Sequence, residues 1–333
     1  MERQYIGVDL HKATFQACAL NPDGARQWEA QFPRTATGVA AFAARGVRGA
    51  HVAVEATGPT WVFVDAVQAA GAEVCVVDPR KTRLKAGYAA KTDRLDARRL
   101  ADALRRGSVV SIYIPPPAVR ELRDLTRGRQ QIVRVRTRLV QAIRALLLRH
   151  DVPDPTTSKL TNVAGLQWLA LQHLTGDAEE TLRRLERLLR AVHVEAQHAD
   201  ARVRERAATD AIARGLAQLR GIGPVLGLSV HAEVGTIARF AHGSALASYA
   251  GIVPGVYASG ATVRYGRITR DGSPWLRWAL VEIAMHAMKR TDGIGRWARR
   301  LALRKGVKKA RVALARRLCD EIVQTWRAVE IGG

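Results

Sequence analysis

The sequence predicts an α/β domain followed by an all-α region, and three observations carry that prediction. Strand and helix signals alternate through about residue 112. Pro115-Pro116-Pro117 breaks the alternation. Beyond it lie long segments whose apolar residues recur every seven positions among many arginines.

The first strand is Tyr5-Ile6-Gly7-Val8, apolar at nearly every position, as expected of a central strand covered on both faces. It ends in Asp9. The polar turn Leu10 to Thr14 and the apolar run Phe15 to Leu20 complete a β-hairpin, and Arg26 to Phe32 reads as a third strand. Thr37 to Arg45 is Ala-rich and helical, with Thr37 as its N-cap. A further apolar run, His51 to Val54, also ends in a carboxylate, Glu55. The turn Ala56-Thr57-Gly58-Pro59 leads into a helix over 61–70, closed by Gly71. Glu73 to Val77 is another strand, stopped by Asp78-Pro79. Lys91 to Ala97 opens a helix carrying Asp93 and Asp96.

From Val119 to His150 the sequence is helical, with Leu125, Ile132, Leu139 and Leu146 spaced by sevens and nine Arg against two acids. Residues 151–165 read as a connection. A second long helix, about 178–215, carries Leu182, Leu185, Leu189, Val192, Ala196, Ala199 and Val203. Two such helices suggest a coiled-coil hairpin or dimerisation arm, or an ordinary helical bundle. Leu219-Arg220-Gly221-Ile222-Gly223-Pro224 opens a helix at Pro224 and has the look of a phosphate-holding helix-hairpin-helix turn. Tyr249 to Arg270 is rich in Gly, Ser and Arg; Pro274 to Arg290 returns to helix. The boundaries are 1–114, 115–215 and 216–333.

A formal net charge of +23 points to a polyanionic partner, most economically nucleic acid. From Arg290 to Arg317 there are eleven basic residues and one acid, suited to phosphate contact driven by counterion release. With 47 % hydrophobic residues, global disorder is excluded. No apolar run of about 18 residues argues for a membrane span, and no signal peptide is read. Cys18, Cys75 and Cys319 lack metal-ligand spacing and read as buried hydrophobes in a reducing cytoplasm.

Asp9 and Glu55 each end an apolar strand. Asp93 and Asp96, three apart, share one helical face. Singly, each has an ordinary use: a surface acid past a strand, or first-turn acids complementing a helix dipole. Together they suit a shared divalent site, because hard cations such as Mg²⁺ take oxygen ligands and closely packed carboxylates need a cation to stay ionised.

At this point a resemblance becomes specific. The order Asp, Glu, Asp, Asp, with the first on a hairpin strand, resembles the RuvC-like branch of the RNase H fold. Ile6 to Lys12, Val54 to Gly58 and Lys91 to Ala97 resemble the IS110-family transposases. So do Leu219 to Pro224, Tyr249 to Pro254, Ser259-Gly260 and Asp271 to Arg277, in the family's order. The resemblance implies an N-terminal RuvC-like RNase H domain, central coiled-coil helices and a C-terminal, mainly helical transposase domain. It implies Mg²⁺ or Mn²⁺ on Asp9, Glu55, Asp93 and Asp96, and Ser259 as a nucleophile. It implies a bridge-RNA-guided DNA recombinase with target and donor DNA, a homo-oligomer from dimer to tetramer, and a cytoplasmic, nucleoid-associated location in bacteria. Ser244, Ser248 and Ser273 are rival serines, Ser273 being placed to cap the helix opened by Pro274. Two departures stand out: Asp78-Pro79 where relatives often carry Asn-Pro, and Ala261-Thr262-Val263 where glycines and lysines often follow the Ser-Gly step.

Lys81, Arg83, Lys85 and Lys91 flank the acidic pair and could grip a DNA backbone. Arg264, Arg267 and Arg270 follow Ser259 and could hold phosphate or RNA. Solvated basic faces are the alternative. His11 and Lys12 are expected near the site without an assigned role. Two other classes compete: a metal-dependent nuclease or junction resolvase in which water attacks, and a basic nucleic-acid binder without chemistry. An actin-like ATPase also begins with a Gly-Val-Asp strand, but no second phosphate loop follows.

Overall fold

A computed structural model describes residues 3–58, 60–78, 81–82, 92–155, 159–259 and 262–332. The chain divides into two compact units, Met1–Ile114 and Pro115–Gly333.

The first unit is built on a five-stranded mixed sheet. Its strands are β1 (Tyr5–Leu10), β2 (Thr14–Leu20), β3 (Arg26–Pro33), β4 (His51–Glu55) and β5 (Glu73–Val77), in the order β3-β2-β1-β4-β5. β1 pairs antiparallel with β2, from Tyr5 opposite Leu20 to Leu10 opposite Phe15. It pairs parallel with β4, Val8 beside Val54. β1 is therefore central, as its unbroken apolar run requires.

The helices are α1 (Ala36–Ala43), α2 (Thr60–Ala69) and α3 (Asp93–Arg105). The pleat sorts side chains to two faces. Ile6, Val8, Phe15 and Ala17 join Phe42 and Phe63 of α1 and α2 in one core. Phe15 stacks on Phe32 at 5.3 Å and meets Phe42 and Phe63 edge-on. Cys18 and Leu20 face the other way, onto Ala97 and Ala101 of α3. The N-cap of α1 is Thr35, not Thr37: the Thr35 side chain accepts from the Gly38 N–H, which Thr37, inside the helix, cannot do.

Gly7 sets the depth of α3. A Cβ there would lie 2.0 Å from the Ala97 carbonyl and 2.4 Å from the Ala101 nitrogen. Strand and helix backbones thus touch directly, through a glycine on one side and alanines on the other.

The second unit opens with α4 (Pro117–Arg149), followed by α5 (Val163–Ala170), α6 (Asp177–Thr209), α7 (Ala211–Leu216) and α8 (Pro224–Val234). After a 3-10 turn at Ile237–Arg239 come α9 (Gly243–Tyr249), the hairpin β6 (Pro254–Ser259) and β7 (Thr262–Ile268), α10 (Pro274–Ala287), α11 (Gly293–Lys305) and α12 (Val307–Gly332). α4 and α6 pack on each other. The buried row of α6 keeps the seven-residue repeat: Leu182, Leu189, Ala196 and Val203. On α4 the buried row is Leu122, Thr126 and Gln130, then Ile143, Leu146 and Leu147. Leu125, Ile132 and Leu139 are only half-buried, so the predicted row is rotated by about one position over half its length. Within 151–165, expected as connection only, Asn162 caps α5.

The predicted helix 178–215 is two helices. Asp210 leaves helical geometry and caps α7, accepting from the Ala213 N–H at 2.8 Å. Its oxygens lie 2.9 Å from His231 Nδ1 of α8, and the imidazole meets Trp326 edge-on at 5.2 Å. Burial raises the Asp210 pKa, but the bonds to His231 and Ala213 prevail and hold it below the ordinary 3.8. A depressed carboxylate stabilises the fold above its unfolded pKa, and that contribution is lost as pH falls through the folded value. Asp210→Asn is expected to cost about 2 kcal/mol at pH 7, the scale of a charged hydrogen bond. It should also flatten the acid limb of stability below about pH 4. Denaturant midpoints between pH 7 and 3 test this; parallel acid limbs for both proteins would contradict it.

All three cysteines are free. Burial pushes the Cys18 thiol up to about 11 and the Cys319 thiol to about 12, which suits apolar filling rather than reactivity.

Candidate functional site

The acids predicted from sequence fall at one end of the first unit's sheet. Asp9 is near the end of β1, its side chain 20 % exposed. Glu55 ends β4, one step beyond the Val8–Val54 pair. The Glu55 carbonyl accepts from Thr60 Oγ1 at 3.0 Å, and Thr60 also accepts from the Thr57 N–H at 2.7 Å. The turn after β4 is thereby pinned by a fully buried threonine. Asp93 is the first residue of α3, capped by Thr92, and Asp96 lies one turn on.

Asp9 and Asp93 converge with His11. His11 Nε2 is 3.2 Å from Oδ2 of each, and the three ligand atoms lie within 4.8 Å of one another. Glu55 and Asp96 are outside that trio. Asp96 Oδ1 lies 3.4 Å from the Arg99 guanidinium. Its charge still reaches Asp9: burial raises the Asp9 pKa most, the nearby His11 lowers it, and Asp93 and Asp96 raise it further. The result is a carboxylate held above its ordinary 3.8 in a field of like charge.

These residues fit a divalent cation. Separations of 3.2 Å are those between neighbouring ligands of one ion bound at roughly 2.0–2.2 Å. His11 Nε2 is shielded from solvent and meets the two carboxylates at 3.2 Å without strict hydrogen-bond geometry, which leaves it available at the centre of the cluster. A cavity of about 740 Å³ opens beside Asp93, bordered by Gln16, Arg26, Trp28, Gln31, Thr92 and Arg94. Arg26 and Arg94 are basic residues at this rim that sequence reading passed over; both approach Glu29, at 3.2 and 3.5 Å. Of the predicted basic group, Lys81 is exposed in the turn after β5, while Arg83, Lys85 and Lys91 lie outside the described residues.

In the second unit, Ser259 is the last residue of β6, paired in register with Thr262, and Gly260-Ala261 lie outside the described residues. Arg264 and Arg267 are exposed on β7. Arg270 follows in left-handed geometry at φ 58°. The base of this hairpin is closely packed. A Cβ on Gly251 would meet the Asp271 carbonyl at 2.1 Å, and one on Gly272 the Tyr249 carbonyl at 2.0 Å. Arg277 donates to the Ala250 carbonyl at 2.9 Å.

Two rival serines have structural uses. Ser273 accepts from the Trp275 and Leu276 N–H groups, capping α10 as its sequence position implied, and donates to Glu233 Oε2 at 2.6 Å. Ser244 Oγ lies 2.5 Å from His242 Nδ1, which also caps α9 by accepting from the Ala245 N–H. Ser248 is exposed. Sequence reading missed Glu233. It is 2 % exposed and paired with Arg127 at 2.7 and 2.9 Å, and the lone acid in the mainly apolar α8 was the available signal.

Residues 6–151 match the family of transposases designated DEDD IS110, and residues 213–301 match the IS116/IS110/IS902 transposase family. A putative transposase y4qE of Sinorhizobium fredii is 30 % identical over 219 residues, 66 % of this chain and 53 % of the relative, so the chain spans about half of that protein. A probable family 20 transposase of Pseudomonas aeruginosa is 26 % identical over 95 % of this chain and 94 % of its own length. The transposase for insertion sequence element IS1111A of Coxiella burnetii is 26 % identical over 93 % and 86 %.

Proposed function

Because the chain belongs to the IS110 family of transposases, we propose that it is a DNA transposase that cuts and rejoins the strands of an insertion sequence on a metal-dependent carboxylate site. The observation that carries this reading is the convergence of Asp9 and Asp93, from the two ends of the first unit's sequence, around the His11 imidazole nitrogen. The β3-β2-β1-β4-β5 order, with an acid at the end of each of two parallel central strands and two on the following helix, supports an RNase H-like domain of the RuvC branch over 1–114. In this reading 115–215 supplies helical arms and 216–333 the transposase domain.

Asp9, Glu55, Asp93 and Asp96 would hold Mg²⁺ or Mn²⁺. The bound ion would supply Lewis acidity toward a scissile phosphate. Ser259 is the nucleophile: its Oγ forms a bond to phosphorus, the strand's bridging P–O bond breaks, and the departing hydroxyl takes a proton. The phosphoserine ester conserves the bond energy, so rejoining is the reverse step and needs no ATP. The exposed Arg264, Arg267 and Arg270 after Ser259, like Lys81, Arg83, Lys85 and Lys91, which precede Asp93 in the sequence, would grip backbone phosphates of DNA or RNA. Sequence choice is delegated to a bridge RNA that pairs with target and donor DNA, while basic surface reads backbone and shape. Strand exchange between two duplexes requires several protomers, and the α4–α6 pair is the proposed assembly element.

A second reading is a nuclease or junction resolvase in which water attacks. It is favoured by the metal-ligand trio coming entirely from the first unit. One experiment separates them: purified protein, its co-purifying RNA and both DNA partners, assayed for covalent protein–DNA adducts and for cutting. Ser259→Ala is expected to abolish adducts and joined products; continued cutting without adduct would establish the nuclease. Asp9→Asn is expected to abolish both, and retained cutting would sink the metal reading. The same complexes sedimenting only as monomers would contradict the assembly.

A further inference from the structure

The four acids of the proposed tetrad offer only oxygen donors. We propose that His11 is an additional, nitrogen ligand of the same ion, making the centre a mixed nitrogen–oxygen site that prefers Mn²⁺ over Mg²⁺. This deepens the metal reading above and rests on it, but not on the serine or the RNA.

The first support is geometric. His11 Nε2 stands 3.2 Å from Asp9 Oδ2 and 3.2 Å from Asp93 Oδ2. A hydrogen bond from an imidazole requires the acceptor near the in-plane axis of the nitrogen. Neither oxygen meets strict hydrogen-bond geometry, although both are close enough and His11 still lowers the Asp9 pKa by hydrogen bonding. An ion on that axis has the opposite requirement: its other ligands must lie off the axis, about 3 Å from the nitrogen when bonds are roughly 2.1 Å. The arrangement is poor for an imidazole–carboxylate bond and good for three ligands of one cation.

The second support is preorganisation. His11 sits in the β1–β2 turn, and that turn is held at several points. The His11 N–H donates to the Thr14 carbonyl at 2.9 Å. The Arg34 N–H donates to the Ala13 carbonyl at 2.8 Å, and the Arg34 guanidinium Nε donates to the Lys12 carbonyl at 2.8 Å. The ring is therefore delivered by a fixed backbone, as a ligand should be.

The chemical consequence is selectivity. Carboxylate and water suit Mg²⁺, whereas imidazole suits later divalent metals, and Mn²⁺ accepts both donor types. The test uses the full chain without nucleic acid. Calorimetric titration with Mn²⁺ and with Mg²⁺ is compared for the native protein and His11→Ala. The substitution is expected to weaken Mn²⁺ at least about tenfold, since even outer partners of a metal site contribute that much. Mg²⁺ should weaken less than about threefold. Electron spin-echo modulation on the native protein loaded with Mn²⁺ should show a directly bound ¹⁴N, and this readout needs no variant to fold. Mn²⁺ binding with no nitrogen modulation, or equal weakening of both ions, would overturn the proposal while leaving the carboxylate site standing. No binding of either ion to the native protein would overturn both. Loss of strand joining with intact nitrogen modulation would count against the recombinase reading alone.

Discussion

Gly7→Ala is expected to disable the proposed metal centre without altering any residue that would touch the ion. The new methyl would lie 2.0 Å from the Ala97 carbonyl and 2.4 Å from the Ala101 nitrogen, both backbone atoms that no rotamer change can move. Helix α3 must retreat from β1 by more than about 1 Å, and overpacking of this kind costs about 1–3 kcal/mol. The retreat carries Asp93 and Asp96 with it, because they form the first turn of that helix. A misplacement of about 1 Å is enough to cost on the order of 10² in rate. The expected result is a folded protein whose strand-cutting falls about a hundredfold and whose Mn²⁺ affinity falls with it. Circular dichroism, thermal unfolding and metal titration on one preparation read this out. Retained metal affinity with only a lower melting temperature would show that α3 does not set the site.

The second large effect is on stability. Glu233→Ala removes a buried carboxylate that binds the Arg127 guanidinium through both oxygens and accepts from Ser273 Oγ. Breaking a buried pair by deleting one partner costs about 3–5 kcal/mol. Arg127 keeps a 35 % exposed side chain and can recover some hydration, so about 3 kcal/mol is expected. In a unit of this size that lowers the melting temperature by roughly 6–12 °C. Glu233→Gln, which can still bond Ser273, should lose about half as much. The loss is concentrated where α4, α8 and the start of α10 meet, and α10 follows the hairpin that carries Ser259. Equal melting temperatures for native, Ala and Gln proteins would refute the role of this junction.

The local grammar is legible in the sequence. Apolar runs marked β1, β4 and β5, Pro224 and Pro274 marked helix starts, Ser273 announced its capping role, and the seven-residue row of α6 is buried as spaced. These signals depend on neighbours a few residues away, so one sequence window contains all of their physics. One error has a local cause and the other a distant one. Thr37 fails as the cap because α1 already begins at Ala36, which places Thr37 inside its first turn. The helix read through to residue 215 stops because Asp210 bonds His231, whose position on α8 no window around Asp210 contains.

The sequence by itself determined the strands of the first unit, the starts of α8 and α10, the basic character of the chain, and the family to which its motifs belong. Only the tertiary structure decided that Asp9 and Asp93 meet, that His11 lies between them, that Gly7 lets α3 reach β1, and that Glu233 has a partner. The physical reason is range: propensity and periodicity act over a few residues, whereas charge proximity and backbone contact are set by packing between segments far apart in the chain.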